Sequence, residues 1–375
     1  MGNVSKIRDC YGCGICAVSC PRNIIDIHLN ASGFYAPHII NEKICTNCGM
    51  CLSVCSFSNI GIASPNIPLN SCAAWSKSAE IRQRCSSGGV GFELLKTSIR
   101  NGCKVIGVKY DADSFSARHY IAETEEEAIS TIGSKYIQSY TVDAFKNIKF
   151  QEKYLITGTP CQIDSLRRLI KKKRCESNFI LIDFFCHGVP SMNLWTKYSN
   201  EVEKVTGKIV DVSWRNKTNG WHDSWDINIK GKNTSWSSRW TKGDLFYKMF
   251  LSNSCLGKAC YSKCKFKGNN SSADIRIGDL WGKTYKNDDR GVSAVVVFTD
   301  KGKDILKQTN CEFYEYPYNI VSEGQMHEHL DEPKVRGLVC RMLASRLPLR
   351  FVFLFVQMVR VTYLIKCKLK QLRKG

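Results

Sequence analysis

Short apolar runs alternate with amphipathic segments along the middle of the chain, from about residue 72 to residue 335. The pattern predicts a helix at residues 90–99, strands at 104–110 and 154–156, a helix from 160 to 170 and a strand at 179–185. Strands that alternate with helices in this way are typical of an α/β domain whose sheet is at least partly parallel. Residues 205–240 instead alternate polar and apolar positions and are rich in Trp, Ser and Thr, which predicts an antiparallel insertion.

The last part of the chain follows a different pattern. Residues 351–365 are mainly apolar, but Gln357 and Arg360 interrupt them, and the run is shorter than the roughly 20 residues that span a bilayer. Two interpretations remain open: a basic amphipathic helix that lies on an anionic membrane surface or an acidic partner, and a core helix with a solvated basic end. The basic residues that follow the run are Lys366, Lys368, Lys370, Arg373 and Lys374.

Composition and charge narrow the class of protein. The 375 residues are 43% hydrophobic and 23% charged, which excludes disorder and collagen-like repetition and allows two or three domains. The net charge of +20 is uneven, because residues 1–70 hold four Lys or Arg and three Asp or Glu, whereas residues 341–375 hold nine Lys or Arg and no acid. A basic tail is therefore indicated rather than a uniform nucleic-acid-binding face, and a nucleic-acid binder with a structural cluster ranks last.

The chain has 20 cysteines, an unusually high number. Disulfide-rich secreted proteins are short and carry an apolar leader, and the first ten residues contain no such segment. We therefore expect a reducing, cytoplasmic location, with a peripheral position at the inner membrane surface as an option that the tail adds. In that compartment clustered cysteines are metal ligands or redox groups.

Eight of the cysteines form an internal repeat with the spacing C-x2-C-x2-C-x3-C. In bacterial two-cluster ferredoxins the fourth cysteine of each run ligates the other [4Fe–4S] cluster. Gly12, Gly14 and Gly49 suit the tight loops around each cluster, and structural zinc fits two complete runs of four cysteines less well. The repeat resembles these ferredoxins over residues 8–58, except that Ser56 stands where proline is usual. The expected ligand sets are Cys10, Cys13, Cys16 and Cys55 for one cluster, and Cys45, Cys48, Cys51 and Cys20 for the other.

Small residues mark several predicted strand-to-helix junctions in the middle region. Thr159 and Pro160 suit the N-cap and first position of a helix, whose free N–H groups and positive dipole end can bind phosphate. Residues 86–89 offer the same device, and Lys135 lies among small residues that suit a diphosphate. Each feature alone is weak, since many helices begin this way without a ligand, but together they predict a nucleotide-cofactor crevice at one sheet edge.

The order of these motifs gives a specific resemblance. Over roughly residues 70–335 the chain is similar to the coenzyme F420 hydrogenase/dehydrogenase beta-subunit family, whose members include a chlorophyll-cycle reductase. The resemblance implies FAD and at least one [4Fe–4S] cluster in a mixed α/β domain. The motifs that carry it are SSGG (86–89), GSKYIQS (133–139), GTPCQ (158–162), CHGVPS (186–191), CYSKCKF (260–266), DIRIGDLWG (274–282) and GVS (291–293).

The resemblance also implies roles for individual residues. Cys161, Cys186, Cys260 and Cys264 become candidates for a third [4Fe–4S] cluster, although the spacing at Cys260 is C-x3-C rather than C-x2-C and Cys255 could substitute. The residues expected to bind FAD are Ser86, Ser87, Gly88, Gly89, Ser134, Lys135, Tyr136, Gly158, Thr159, Pro160, Gln162 and Trp281.

His187 and Asp279 are the catalytic candidates, and each has a structural alternative. His187 could protonate substrate or be a hydrogen-bonded structural histidine. Asp279 and Trp281 could order a turn and fill a core. Cys161 with His187 could form a nucleophile pair, although no oxyanion-binding device is evident. The cysteines expected to be ordinary apolar side chains are Cys72, Cys85, Cys103, Cys175, Cys311, Cys340 and Cys367.

The resulting expectation is an α+β or α/β chain with four parts. These are a ferredoxin domain (1–60), a linker (61–71) with Pro65 and Pro68, a mixed α/β FAD-binding domain (72–335) and a basic helical tail (336–375). The leading hypothesis is a reductase that passes electrons from a ferredoxin or partner subunit through its clusters and FAD to coenzyme F420 or another organic acceptor. A glycan- or lipid-linked acceptor of surface-polysaccharide metabolism follows from family analogy alone. The alternative is a non-catalytic electron-transfer subunit of a larger complex.

Overall fold

The computed structural model describes residues 2–64 and 67–372, with side chains up to residue 365. Residues 2–59 form a small domain in which the cysteine repeat is visible as a structural repeat. Gly14 (φ 76°) and Gly49 (φ 72°) both adopt the left-handed conformation directly before a short helix, as the tight-loop prediction requires. The elements of this domain are α1 (Ile15–Ser19), β1 (Ile25–Leu29), β2 (Tyr35–Ile39) and α2 (Met50–Ser53).

A mixed nine-stranded sheet in the order β14-β3-β13-β12-β8-β7-β4-β5-β6 dominates the rest of the described chain. Its central strands β12, β8, β7 and β4 are parallel, which confirms the α/β prediction. The strands β9, β10 and β11 form a separate antiparallel sheet, which confirms the predicted insertion. The strands are β3 (Asn70–Ser76), β4 (Lys104–Asp111), β5 (Ser116–Ala122), β6 (Ser139–Tyr140), β7 (Tyr154–Thr157), β8 (Phe179–Phe184), β9 (Ile209–Ser213), β10 (Asp226–Gly231), β11 (Ser235–Arg239), β12 (Ile275–Asp279), β13 (Ser293–Val297) and β14 (Cys311–Glu315).

Helices cover both faces of the large sheet. Leu155 of β7 packs with α4 on one face, whereas its neighbour Ile156 packs with α7 on the other, together with Ile15 of the small domain. Burial on both faces explains why β7 and the first four residues of β8 are nearly continuous apolar runs. The helices are α3 (Ala79–Arg84), α4 (Val90–Arg100), α5 (Glu125–Ala128), α6 (Val142–Lys146), α7 (Pro160–Lys173), α8 (Met192–Thr206), α9 (Leu245–Leu251), α10 (Asp300–Lys307), α11 (Tyr318–Val321), α12 (Arg336–Ala344) and α13 (Leu349–Leu372).

The predicted tail forms two helices, α12 and α13. One part of it fits the core-helix interpretation, and the other part is exposed. Cys340 of α12 and Val352 and Val356 of α13 are buried in the same core as α8 and α9, so the core-helix interpretation holds for this part. Residues 360–365 are all exposed. The side chains of Lys366, Cys367, Lys368 and Lys370, together with Pro65, Arg373 and Lys374, lie outside the described residues.

Two further details refine the predictions. The large sheet begins at Asn70, two residues before the predicted domain start, because β3 pairs with β13 from that residue. Among the described helices, none is both long enough and apolar enough to cross a membrane.

Candidate functional site

The predicted cofactor motifs converge at one edge of the large sheet. The carboxyl ends of β4, β7, β8 and β12 open there onto a cavity of about 470 Å³, a size typical of small-molecule sites. This arrangement follows the general rule that ligands bind beyond the carboxyl ends of parallel strands. The predicted residues that line the cavity are Ser86, Ser87, Gly89, Ser134, Lys135, Tyr136, Gly158, Thr159, Gln162, His187, Asp279 and Trp281.

Two predicted residues, Gly88 and Pro160, do not line this cavity. A Cβ at Gly88 would lie 2.4 Å from the carbonyl oxygen of Ala74, and its N–H donates to Ser293 Oγ at 3.0 Å. Gly88 therefore permits close packing of its loop against β3 and β13. Pro160 lines a smaller neighbouring cavity.

The two helix N-termini predicted to bind phosphate, those of α4 and α7, differ in whether side chains already occupy them. In the described structure no side chain caps the start of α4, where Gly89 is left-handed (φ 92°), so the first N–H groups of this helix remain available for an anion. At α7, Gln162 Oε1 accepts from the Thr159 N–H at 2.9 Å, and Gln162 Nε2 donates to Ser139 Oγ at 3.1 Å. The start of α4 is consequently the more open anion site.

Lys135 organises its own loop. Its Nζ lies 2.9–3.1 Å from the carbonyl oxygens of residues 130–133, which uses the three protons of an ammonium group. Burial lowers the pKa of Lys135 to about 7, while these carbonyls provide the acceptors that its protonated form needs. The predicted diphosphate contact of Lys135 is therefore not favoured, because its donors are already engaged.

Lys217, which the sequence did not single out, has a similar arrangement. Its Nζ donates to the carbonyl oxygens of Arg82, Ser87 and Arg290 at 2.5–2.6 Å, and burial lowers its pKa to about 8. This ammonium fixes the loop that contains Ser87 at the rim of the cavity.

Asp279 belongs to a charged and aromatic wall. The Arg215 guanidinium lies between the rings of Trp225 and Trp281, at 5.2 and 5.1 Å from their centroids. It is 3.1 Å from both Asp279 Oδ2 and the Tyr136 hydroxyl. Burial opposes its charge, but Asp279 and Tyr136 outweigh it and raise the pKa of Arg215 above its usual value.

The indole N–H of Trp221 also donates to Asp279 Oδ1, at 2.9 Å. The carboxylate is thus held by a permanent cation and a neutral donor. This geometry favours a positioning role for Asp279 over the catalytic role predicted for it, and it gives the cavity an aromatic wall.

His187 lies at the cavity rim as a neutral ring. Its Nε2 is 2.6 Å from Asn253 Oδ1, its ring packs edge-on against Phe250, and burial lowers its pKa. With Nε2–H donating to Asn253, the other nitrogen is left as a proton acceptor. The described hydrogen bond of Cys161 is with Thr159 Oγ1, at 3.1 Å, so neither residue engages the other and the nucleophile pair is not favoured.

The structure brings each predicted ferredoxin set together. Burial raises the pKa of the Cys16 thiol well above its ordinary value, and the nearby Cys13, Cys10 and Cys55 raise it further. Asn3 Nδ2 donates to Cys45 at 3.4 Å beside the second set. The cysteines of the second set, Cys20, Cys45, Cys48 and Cys51, line a common void.

The third predicted set also shares one cavity, of about 30 Å³. Burial raises the pKa of Cys260 to about 12, and Cys186 and Cys264 lie close enough to raise it as well. Cys255 is buried beside Cys340 in another core, so it does not substitute for a member of the set. The set that lines this cavity is Cys161, Cys186, Cys260 and Cys264.

Within the described part of the chain, no three Cys, His, Asp or Glu side chains form a group that could hold a single metal ion. Four cysteines around a common cavity suit a multi-atom group with four thiolate ligands, which is the donor set of a [4Fe–4S] cluster.

The three sets follow one another toward the large cavity. Cys48 is exposed, whereas Cys51 and Cys16 are buried in one apolar cluster. Cys13 lies close enough to Cys161 to raise its pKa, and Cys186 lines both the small and the large cavity. The three sets are therefore neighbours between the surface of the small domain and the edge of the sheet.

The hydrogen bonds of Ser56 explain why serine stands at this position, where the ferredoxin pattern usually has proline. Its hydroxyl donates to Asp164 Oδ2 at 2.8 Å, and its N–H donates to Ser165 Oγ at 3.0 Å, which itself lies 3.3 Å from Cys13 Sγ. A proline would lack both donors. Ser56 thus docks the small domain onto α7, the helix that carries Cys161.

Three family models match the chain. Residues 9–59 match a 4Fe-4S dicluster domain. Residues 71–146 match the N-terminal part, and residues 151–315 the C-terminal part, of the coenzyme F420 hydrogenase/dehydrogenase beta subunit.

Two curated proteins are similar over shorter segments. One is a coenzyme F420-dependent sulfite reductase of Methanocaldococcus jannaschii, 28% identical over 166 residues that make up 43% of this chain and 25% of that protein. The other is the beta subunit of a coenzyme F420 hydrogenase of Methanococcus voltae, 35% identical over 80 residues, or 20% of this chain and 29% of that protein. The matches thus span less than a third of the length of either relative.

A solved structure is also similar. It is a chain of the F420-reducing [NiFe] hydrogenase complex of Methanosarcina barkeri, with a TM-score of 0.47 and 17% identity. The match covers 79% of this chain and 92% of that one.

Proposed function

Because the chain belongs to the coenzyme F420 hydrogenase/dehydrogenase beta-subunit family and carries a 4Fe-4S dicluster domain, we propose that it is an iron–sulfur flavoprotein oxidoreductase. It takes up single electrons at its cysteine repeat and reduces an organic two-electron acceptor at the large cavity. When bound, [4Fe–4S] clusters supply one-electron transfer and FAD supplies the exchange between one- and two-electron chemistry.

The observation that carries the proposal is the series of cysteine sets. Two sets from the repeat and a third from the large domain are neighbours, and the third adjoins the cavity that the predicted flavin residues line. A thiol–imidazole enzyme would need none of this arrangement, since its chemistry requires one cysteine and one base.

The chain's own residues fit a flavin nucleotide at the cavity. The uncapped start of α4 can bind a phosphate through its N–H groups. Trp281 and Trp225, which line the cavity beside the guanidinium of Arg215, offer an aromatic surface for a ring system. His187 is positioned at the rim to accept or return a proton through the nitrogen that Asn253 leaves free.

The donor and the acceptor belong to the proposal as well. A reduced ferredoxin or a redox partner subunit would dock near Cys48, which is the exposed member of the second set. The acceptor is coenzyme F420 or another organic molecule, and a glycan- or lipid-linked acceptor of surface-polysaccharide metabolism is the narrower form of the second option.

The second candidate is an electron-transfer subunit without its own flavin. Flavin content distinguishes it from the proposed oxidoreductase. Protein purified without oxygen should contain one flavin per chain, and dithionite should bleach its absorbance. Trp281→Ala should lower the flavin content, whereas Trp240→Ala, at a half-exposed tryptophan outside the lining of the cavity, should not. Iron without flavin would support the subunit alternative, and neither iron nor flavin would contradict both.

A further inference from the structure

The second half of α13 exposes a stripe of apolar side chains. Whereas Val352 and Val356 are buried, residues 360–365 are all exposed, so the helix extends beyond the core that anchors it. The exposed positions recur every three or four residues and therefore lie along one side of the helix. They are Phe351 (45% exposed), Leu354 (58%), Met358 (60%), Val361 (53%) and Ile365 (54%), with Leu347 (43%) just before the helix.

The charges beside this stripe have one sign. The chain has no Asp or Glu after Glu332, and Arg346, Arg350 and Arg360 are exposed next to the stripe. An apolar stripe whose neighbouring charges are all positive matches an anionic surface that also accepts apolar side chains. Headgroups of acidic lipids above acyl chains provide both properties.

We propose that α13 binds the surface of an anionic lipid bilayer, with the Leu354 stripe in the boundary between headgroups and acyl chains and the arginines on the phosphates. The helix lies along the surface, since no described helix is long and apolar enough to cross. A second copy of the chain fits the stripe less well, because pairing two such helices would bring their arginines together with no acidic residue to offset the repulsion.

Vesicle co-sedimentation of the full-length protein tests the proposal. The chain should sediment with vesicles of equimolar phosphatidylcholine and phosphatidylglycerol and remain in solution with phosphatidylcholine alone. High salt should weaken the binding, because it screens the arginines. Leu354→Glu with Met358→Glu should lower the bound fraction at least tenfold, and far-UV circular dichroism should remain unchanged because both side chains are exposed.

The matched control is Val205→Glu with Val210→Glu, which changes two similarly exposed apolar residues (57% and 51%) outside this helix. The control pair should bind vesicles like the unchanged protein. Equal binding of the unchanged protein to neutral and anionic vesicles would overturn the proposal. So would a Leu354/Met358 variant that binds anionic vesicles as well as the unchanged protein does. If the unchanged protein is a dimer, the Leu354/Met358 variant is a monomer and neither binds vesicles, the stripe is instead the contact with a second copy of the chain. None of these outcomes depends on cofactor content, so they are separate from the test of the proposed function.

Discussion

Asp164 is the residue whose loss should most clearly separate the small domain from the large one. Its fully buried carboxylate accepts four hydrogen bonds. Oδ1 accepts from the Ala63 N–H and from Ser272 Oγ, both at 2.6 Å. Oδ2 accepts from Ser56 Oγ at 2.8 Å and from Arg168 Nε at 3.0 Å.

Asp164→Asn keeps the size of the side chain but places an NH2 group against two of these donors. Hydrogen bonds to a charged group contribute about 1.5–3 kcal/mol each, and removing one partner of a buried pair costs about 3–5 kcal/mol. A loss of about 3 kcal/mol at this contact raises the fraction of chains with an opened domain junction roughly a hundredfold, at tenfold for every 1.4 kcal/mol.

Limited proteolysis under anaerobic conditions measures that fraction, because cleavage of a transiently opened junction follows its population. Cleavage between residues 60 and 70 should accelerate strongly in Asp164→Asn and stay unchanged in Asp304→Asn, an exposed aspartate of α10. An unchanged cleavage rate in Asp164→Asn would refute the docking role of this carboxylate and of Ser56.

Three further predictions concern stability, pH and the cavity wall. Arg276→Met leaves Asp183 buried without its bidentate partner (2.7 and 2.8 Å), so thermal denaturation should show a loss of about 3–5 kcal/mol, and an unchanged melting curve would contradict this. Burial lowers the pKa of His119 to about 4, so unfolding should take up a proton below about pH 6.5, and the free energy of unfolding measured with urea should fall by about 2 kcal/mol at about pH 5; the same fall in His119→Gln would exclude this group as the cause. Arg215→Lys cannot keep both the contact with the two tryptophans and the contacts to Asp279 and Tyr136, so flavin titration should show at least about tenfold weaker binding, and equal binding would contradict a role of Arg215 in shaping the cavity.

The sequence predicted the features that local spacing determines. Cysteines at i, i+3 and i+6 with a glycine between them define a tight loop whatever surrounds it, and α4 and β8 carry their periodicity within about ten residues. Gly88 was misplaced because sequence does not distinguish a glycine that packs against Ala74 from one that approaches a ligand.

Tertiary contacts determined the rest. Arg215 and Trp225 belong to the region of the antiparallel insertion, and only the tertiary fold brings Trp225 to the cavity and Arg215 to Asp279, so no local signal marks them. The neighbours of Lys135 suggested phosphate, whereas the fold turns its ammonium toward the carbonyls of its own loop. The role of Ser56 became evident only with Asp164, 108 residues away in sequence.

The number of iron atoms per chain tests the central claim most directly. With four irons in each cluster, protein purified without oxygen should contain about twelve iron and twelve acid-labile sulfide, and its EPR spectrum should show interacting reduced clusters. Cys161→Ala should lose about four of the twelve while the signals from the cysteine repeat persist, and Cys103→Ala, at a half-buried cysteine outside all three sets, should lose none. Zinc in place of iron, or about eight irons in both the unchanged protein and Cys161→Ala, would contradict a third cluster between the small domain and the cavity.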